Sequence, residues 1–130
     1  MEQVNIPEAY NQVMPYLIIP DAAGFIKFME DVFDAKLLMK HDRDENVIMH
    51  AELQIGDCVV MLADSTEQFP PRTGAFFIYV DNADYRYNKA LDAGAEVATP
   101  IADQSYGRSG GIKDPHGNTW WITTAVENKL

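Results

Sequence analysis

Short apolar runs, broken by charged or Pro- and Gly-bearing turns, alternate along this chain with two stretches of helical spacing. Residues 1–13 read as a lead-in segment ordered only by packing, and Met14 to Ile19 (MPYLII) as a short strand closed by Pro20-Asp21. Asp21 suits a helix N-cap, because its carboxylate accepts from free first-turn amides. Phe25, Phe28, Met29, Val32 and Phe33 then follow on one helical face. The helix stops near Asp34-Ala35. Lys36 to His41 predicts a strand, Asp42 to Asn46 a charged turn, Val47 to Gln54 a second strand, and Cys58 to Ala63 a third after Gly56-Asp57. Ser65 to Thr73 (STEQFPPRT) is polar and Pro-bearing, a linker.

After the linker the order returns. Ala75 to Val80 is a strand, Asp81 caps a helix reaching Ala93, and Gly94 ends it. Glu96 to Ile101 is a strand, Ala102 to Gly107 a loop, and Arg108 to Lys113 a Gly-rich strand. Asp114-Pro115-His116-Gly117 has turn chemistry: Asp opens it, Pro fixes φ, and Gly accepts the angle other residues resist. Thr119 to Thr123 (TWWIT) closes the chain as a strand with Trp on both faces. With the numbering shifted by sixty, Ile18, Asp21, Phe25, Ala35 and Leu37 meet Ile78, Asp81, Tyr85, Ala95 and Val97. The prediction is an α+β protein of two tandem βαβββ units, 12–64 and 74–126, joined by 65–73 within a single domain of 1–130. A small sheet with one helix leaves a face uncovered. Pairing the units would enclose a cup within a curved mixed sheet, with helices outside.

Composition narrows the partners. The chain has 130 residues, 47% hydrophobic and 23% charged, in the range of one globular domain. Its formal charge of −10 disfavours nucleic acid and anionic membranes, which reward Lys and Arg. No run is long enough to span a membrane, the first residues lack signal-peptide character, and Cys58 is alone, which together point to a cytoplasmic setting.

The architecture, with DPHGNTWWITT, YLIIPDAAGFIKFMEDVFDAKLL and MHAELQIGDCVVML, resembles the vicinal oxygen chelate superfamily of glyoxalases, bleomycin-resistance proteins and extradiol dioxygenases. Within it, the PhnB-like or bleomycin-resistance-like branch is the nearest in character. The resemblance implies a small-molecule ligand and a homodimer, and in most members a divalent metal held by His, Gln or Glu from four strands. The positions matching that pattern are Met14, Met61, Ala75 and Trp121, none an oxygen or imidazole ligand. Neither neighbour of any of them is His or Glu. The expectation is therefore no metal, no cofactor, and a binding protein for a small, largely hydrophobic or cationic molecule.

If those four positions face inward, alternation sends Tyr16, Ile18, Val59, Phe77, Tyr79, Thr119 and Thr123 the same way. Tyr16, Met61, Phe77, Tyr79, Arg108 and Trp121 are the candidate ligand contacts; the alternative for the aromatics is that they simply close the core. His50 and Glu52 share one strand face: His50 is a candidate general base or non-standard ligand with Glu52 orienting it, or else the two are a surface or hydrogen-bonded pair. Arg108 is a candidate anion contact or a salt bridge to one of the many acids. The competing class is a lyase, isomerase or dioxygenase using His50, Glu52 or Arg108 in an atypical site.

Overall fold

The computed structural model describes residues 1–126, in the order β1 (Tyr16–Ile19), α1 (Ala22–Phe33), β2 (Lys36–Asp44), β3 (Val47–Ile55), β4 (Cys58–Asp64), β5 (Ala75–Tyr79), α2 (Ala83–Asp92), β6 (Glu96–Gln104), β7 (Gly107–Lys113) and β8 (Thr119–Ala125). The strands form two open four-stranded sheets with equivalent topology, β1-β4-β3-β2 and β5-β8-β7-β6. In each, the first strand lies parallel to the last, and the other pairings are antiparallel. The tandem βαβββ plan is therefore present. The chain divides into two compact units, Met1–Glu30 with Asp34–Arg72, and Asp31–Phe33 with residues from Thr73 onward.

In the first unit, Asp21 caps α1 as expected, accepting from the Gly24 amide at 3.0 Å. The helix ends at Asp34 with φ 55°, a left-handed cap that lets the Ala35 amide reach the Met29 carbonyl. Phe25, Met29 and Ala22 on α1, with Leu17, Ile19, Ala51, Leu53, Val60 and Leu62 on one side of the sheet, form the buried interior. Burying each large side chain contributes about 1.5–3 kcal/mol. The Asp64 carboxylate ties the unit together, accepting from Ala22 N at 2.8 Å and Ile48 N at 2.7 Å. One side chain at the end of β4 thus fixes both the start of the helix and the start of β3.

The second unit repeats this with different chemistry. Thr124, sixty residues on from Asp64, accepts from Ala83 N at 2.7 Å through its hydroxyl. Ile112, Trp120 and Ile122 on the sheet and Ala83, Tyr87 and Ala90 on α2 are buried, and Trp120 stacks on Phe76 at 4.5 Å. Gly110 makes room for the helix: a Cβ there would lie 2.8 Å from Tyr87 Cε2.

The β7–β8 turn is closed by Asp114, which is 3% exposed. Its Oδ1 accepts from His116 N and Asn118 N, and its Oδ2 from Asn118 Nδ2 and Trp120 Nε1, at 2.8–3.0 Å. Asn118 Oδ1 in turn accepts from Gly74 N at 2.9 Å, which seats β5 beside β8. Gly117 takes φ 100°, as the turn requires.

Several boundaries differ from the sequence-based expectation. The strand β2 runs on to Asp44, so the charged turn expected over Asp42 to Asn46 is left with Glu45 and Asn46. The first strand begins at Tyr16, so Met14 lies before it, beyond Pro15. The cap of α2 is Asn82, whose side chain accepts from Tyr85 N, while Asp81 pairs with Arg86. Residues 102–104 belong to β6 rather than to a loop, because they pair with Gly107–Ser109 across a tight turn. Their polarity is tolerated because β6 is an edge strand.

Asp114→Ala is expected to remove about 3 kcal/mol or more, since it strands several buried donors at once. Chemical denaturation monitored through Trp120 fluorescence reads the loss. A change below about 1 kcal/mol would mean the carboxylate is not what holds the turn.

Candidate functional site

Alternation along β3 puts His50 and Glu52 on the sheet face opposite Ala51 and Leu53, and the pairings Tyr16↔Met61 and Glu52↔Met61 bring Tyr16 to the same face. The result is a continuous chain of hydrogen bonds. Tyr16 Oη lies 3.0 Å from His50 Nδ1, His50 Nε2 lies 2.8 Å from Glu52 Oε2, and Tyr10 Oη donates to Glu52 Oε1 at 2.6 Å. Glu52 is 4% exposed, whereas Tyr16 is 48% exposed, so the chain runs from the interior to the surface. Burial pushes the Glu52 carboxyl up, but hydrogen bonds from Tyr10 and His50 and the charges of His50 and His41 outweigh it, and the net direction is down. The bond to Glu52, with burial and the carboxylate's charge, raises Tyr10. A carboxylate, an imidazole and a phenol in line are the parts of a proton relay.

In the second unit, β5 and β8 pair in parallel with Phe77 beside Trp121 and Tyr79 beside Thr123. Phe77, Tyr79, Tyr106 and Trp121 remain 50%, 65%, 36% and 37% exposed. Phe77 packs against Tyr79 at 5.3 Å and Tyr106 at 5.9 Å between ring centroids. The Trp121 indole lies over Gly111, where a Cβ would come within 3.1 Å of Nε1. Beneath these rings Ser109 and Thr123 are buried and share a 2.8 Å hydrogen bond. Val59 and Thr123, expected among the lining residues, are thus buried, at 1% and 0% exposure.

Arg108 stands elsewhere. Pairing with Thr124 places it on the α2 side of the sheet, the face opposite Phe77 and Trp121. Its guanidinium forks onto both oxygens of Asp84, at 3.0 and 3.1 Å, and reaches Asp103 at 3.3 Å. The bond to Asp84 is the main reason its pKa rises and that of Asp84 falls. His41 sits beside His50 in the β2–β3 pairing, and His116 lies in the Asp114 turn.

The residues present do not fit the superfamily's metal. Met14, Met61, Ala75 and Trp121 supply no imidazole or carboxylate, and no group of three or more His, Cys, Asp or Glu placed to hold an ion occurs among the described residues. Both Glu52 oxygens and both His50 nitrogens are already engaged.

The sequence model of the Glyoxalase/Bleomycin resistance protein/Dioxygenase superfamily matches residues 9–122. The chain belongs to this superfamily. It is 34% identical over 124 residues to the uncharacterized protein Rv0887c of Mycobacterium tuberculosis, covering 86% of this chain and 73% of that one. Among solved structures it is similar to TioX from Micromonospora sp. ML1, with a TM-score of 0.74 at 21% identity, covering 89% and 99% of the two chains. It is also similar to TnmS3, an antibiotic binding protein from Streptomyces sp. CB03234, with a TM-score of 0.69 at 17% identity, covering 92% and 100%. Likeness at those identities carries the superfamily fold and no more. No helix among the described residues is long and apolar enough to cross a membrane.

Two residues of these sites escaped sequence reasoning. Tyr10 sits in the lead-in segment, and its bond to Glu52 spans forty-two residues. Tyr106 lies at the β6–β7 turn. Neither carries a local signal, since both are recruited by the way the sheet brings distant segments together.

Glu52 gives a pH test. Its folded pKa lies below the ordinary 4.5, so its contribution to stability is fully present above that value and is lost as pH falls through the folded pKa. Thermal midpoints measured from about pH 6 down to pH 3 are expected to fall less steeply in Glu52→Gln than in the wild type. Parallel curves would show that the carboxylate is not stabilised in its charged form.

Proposed function

We propose that this superfamily member binds a small, planar, largely apolar or cationic molecule on its second unit, with Phe77, Tyr79 and Trp121 as the stacking surface. The observation that carries the reading is the cluster of exposed aromatics on one face of the second sheet. Four rings left at a third to two-thirds exposure form an apolar surface that folding has not used. Aromatic faces attract planar rings and cations, each contact contributing about 0.5–2 kcal/mol. The formal charge of −10 favours cations over anions. The antibiotic binding described for TnmS3 is in keeping with this reading. Arg108, held by Asp84 and Asp103, is outside the proposed contact set. The protein is further read as a cytoplasmic homodimer, on its lone cysteine and on the pairing usual in the superfamily.

A second reading, an acid–base enzyme, is favoured by one observation, the Tyr16–His50–Glu52 chain. Metal content separates the classes in part. One equivalent of divalent metal in the purified protein, with loss of stability on its removal, would count against a metal-free binding protein.

Fluorescence titration with 9-aminoacridine, a planar cation, tests the binding reading directly. Of the two tryptophans, Trp120 is 2% exposed and Trp121 is 37% exposed, so quenching on binding should come from Trp121. Trp121→Ala is expected to weaken binding about 3- to 30-fold, and Trp121→Phe to abolish most quenching while keeping most of the affinity. Unchanged affinity in Trp121→Ala and in Phe77→Ala would overturn the assignment.

A further inference from the structure

A pocket of about 280 Å³ lies within the first unit, walled mainly by Tyr16, Ile18, Ile48, Met49, Ala63 and Phe69. Part of its wall comes from the segment after β4, which hydrogen bonds fix in place. Ile18 and Arg72 exchange backbone hydrogen bonds at 3.0 and 2.8 Å, and Ser65 N donates to Ile19 O at 2.8 Å, so this segment is tied to β1 at both ends. Between those ties, Thr66 N donates to Phe69 O at 2.8 Å, and Phe69 N donates to the Thr66 hydroxyl at 3.0 Å. Phe69 is thereby held at the pocket while remaining 52% exposed. An aromatic residue with a pinned backbone, left half in water, offers a ligand apolar area at little cost in ordering.

Two charged side chains border the pocket, Arg43 and Asp64. Strand register sets Asp64 apart: Ile18 lies beside Ala63, whereas the buried Ile19 lies beside Asp64. Asp64 therefore belongs with the helix-side residues, where its oxygens accept from Ala22 N and Ile48 N and the two amide dipoles offset its charge. Arg43 is exposed and has no hydrogen bond or ion pair among the described residues, although Asp42, Asp44 and Glu45 flank it in sequence. Asp42 instead lies 3.8 Å from Lys40 Nζ, and Asp44 accepts from Asn46 N at 2.8 Å. The Thr66 hydroxyl accepts from Phe69 N, which leaves its own proton to give. Apolar walls with an unpaired guanidinium and a spare hydroxyl donor suit an anion with an apolar body. We propose that this pocket binds a small, ring-bearing carboxylate, its body against Ile18, Met49 and Phe69 and its charged end on Arg43. A guanidinium forks onto a carboxylate through two parallel hydrogen bonds, and Thr66 supplies a further donor to the same pocket. The formal charge of −10 opposes anions at long range. Charges farther apart than about 8 Å are largely screened at physiological ionic strength, and the near acids Asp42 and Asp44 are offset by Lys40 and the Asn46 amide. The local donors therefore decide the sign.

This pocket lies in the first unit, so its ligand is independent of the one proposed for the second. 2-Naphthoate, 2-naphthamide and 2-naphthylmethylamine share a planar body and differ in the charge of the head group. Two-dimensional NMR titrations of the whole protein near neutral pH read both affinity and location. The expected result is that 2-naphthoate shifts the resonances of Ile18, Ala63 and Phe69 and binds there about three- to tenfold more tightly than the amide, with the amine weakest. Arg43→Gln, at an exposed position, should bring the acid to the level of the amide and leave the amide within about twofold of its wild-type affinity. Arg43→Lys should keep part of the preference, since it retains the charge and loses the fork. Phe69→Ala should weaken acid and amide alike, by about threefold or more. At these residues, an acid no tighter than the amide, an amine tighter than both, or a preference that survives Arg43→Gln would overturn the proposal. Shifts confined to Phe77, Tyr79 and Trp121 would overturn it and leave the aromatic surface of the second unit standing. No shift with the acid would overturn it too, while the 9-aminoacridine titration decides the second-unit surface separately.

Discussion

The Asp114 carboxylate, out of water at the β7–β8 turn, collects four hydrogen bonds from His116, Asn118 and Trp120. A buried carboxylate is costly unless its lone pairs are used, and here the donors are two backbone amides, a side-chain amide and an indole. Their positions set the path of the chain into β8. Asn118, oriented by Asp114, uses its remaining oxygen to hold the Gly74 amide, which places β5 in register with β8. Phe77 then falls beside Trp121. The exposed aromatic surface therefore depends on a polar cluster that contributes no apolar contact to it.

The two units solve the same covering problem with different residues. In each, one sheet face is apolar and buried together with residues of a helix, and the last strand sends a side-chain oxygen to the helix's first amide. Asp64 does this in the first unit and Thr124 in the second. The opposite faces diverge. The first carries Glu52, His50 and Tyr16, a polar chain whose donors and acceptors are matched. The second carries aromatic rings above a buried Ser109–Thr123 pair. Topology repeated while chemistry did not, because the backbone plan constrains only the helix-side residues and the β-ladders.

That freedom explains how a member of this superfamily carries residues that do not suit the usual metal. The metal needs side-chain donors at strand positions that here hold methionine, alanine and tryptophan. The His50–Glu52 pair, on the sheet face opposite Ala51 and Leu53, has both oxygens and both nitrogens engaged with Tyr10, Tyr16 and each other. Such a closed network resists recruitment, since a ligand to a cation would have to give up a hydrogen bond made in a low-dielectric setting.

Period and punctuation in the sequence determined most of the architecture. Helical spacing from Phe25 to Phe33, the Asp21 cap, alternation in β3 and the Asp114–Gly117 turn are local signals, and their energetics are settled within a few residues. Alternation also placed His50 and Glu52 on one face. What the sequence left open was decided by contacts between residues far apart in the chain. Arg108 had two readings of equal local merit, and only β7's pairing with β8 put it on the Asp84 side. Glu52 became a buried acceptor only because Tyr10 and His50 converge on it, and Tyr16 joined the chain only because the sheet brings β1 within reach of His50. Local propensity is written in neighbouring letters, whereas a proton's position is set by every partner that tertiary folding brings within hydrogen-bond reach.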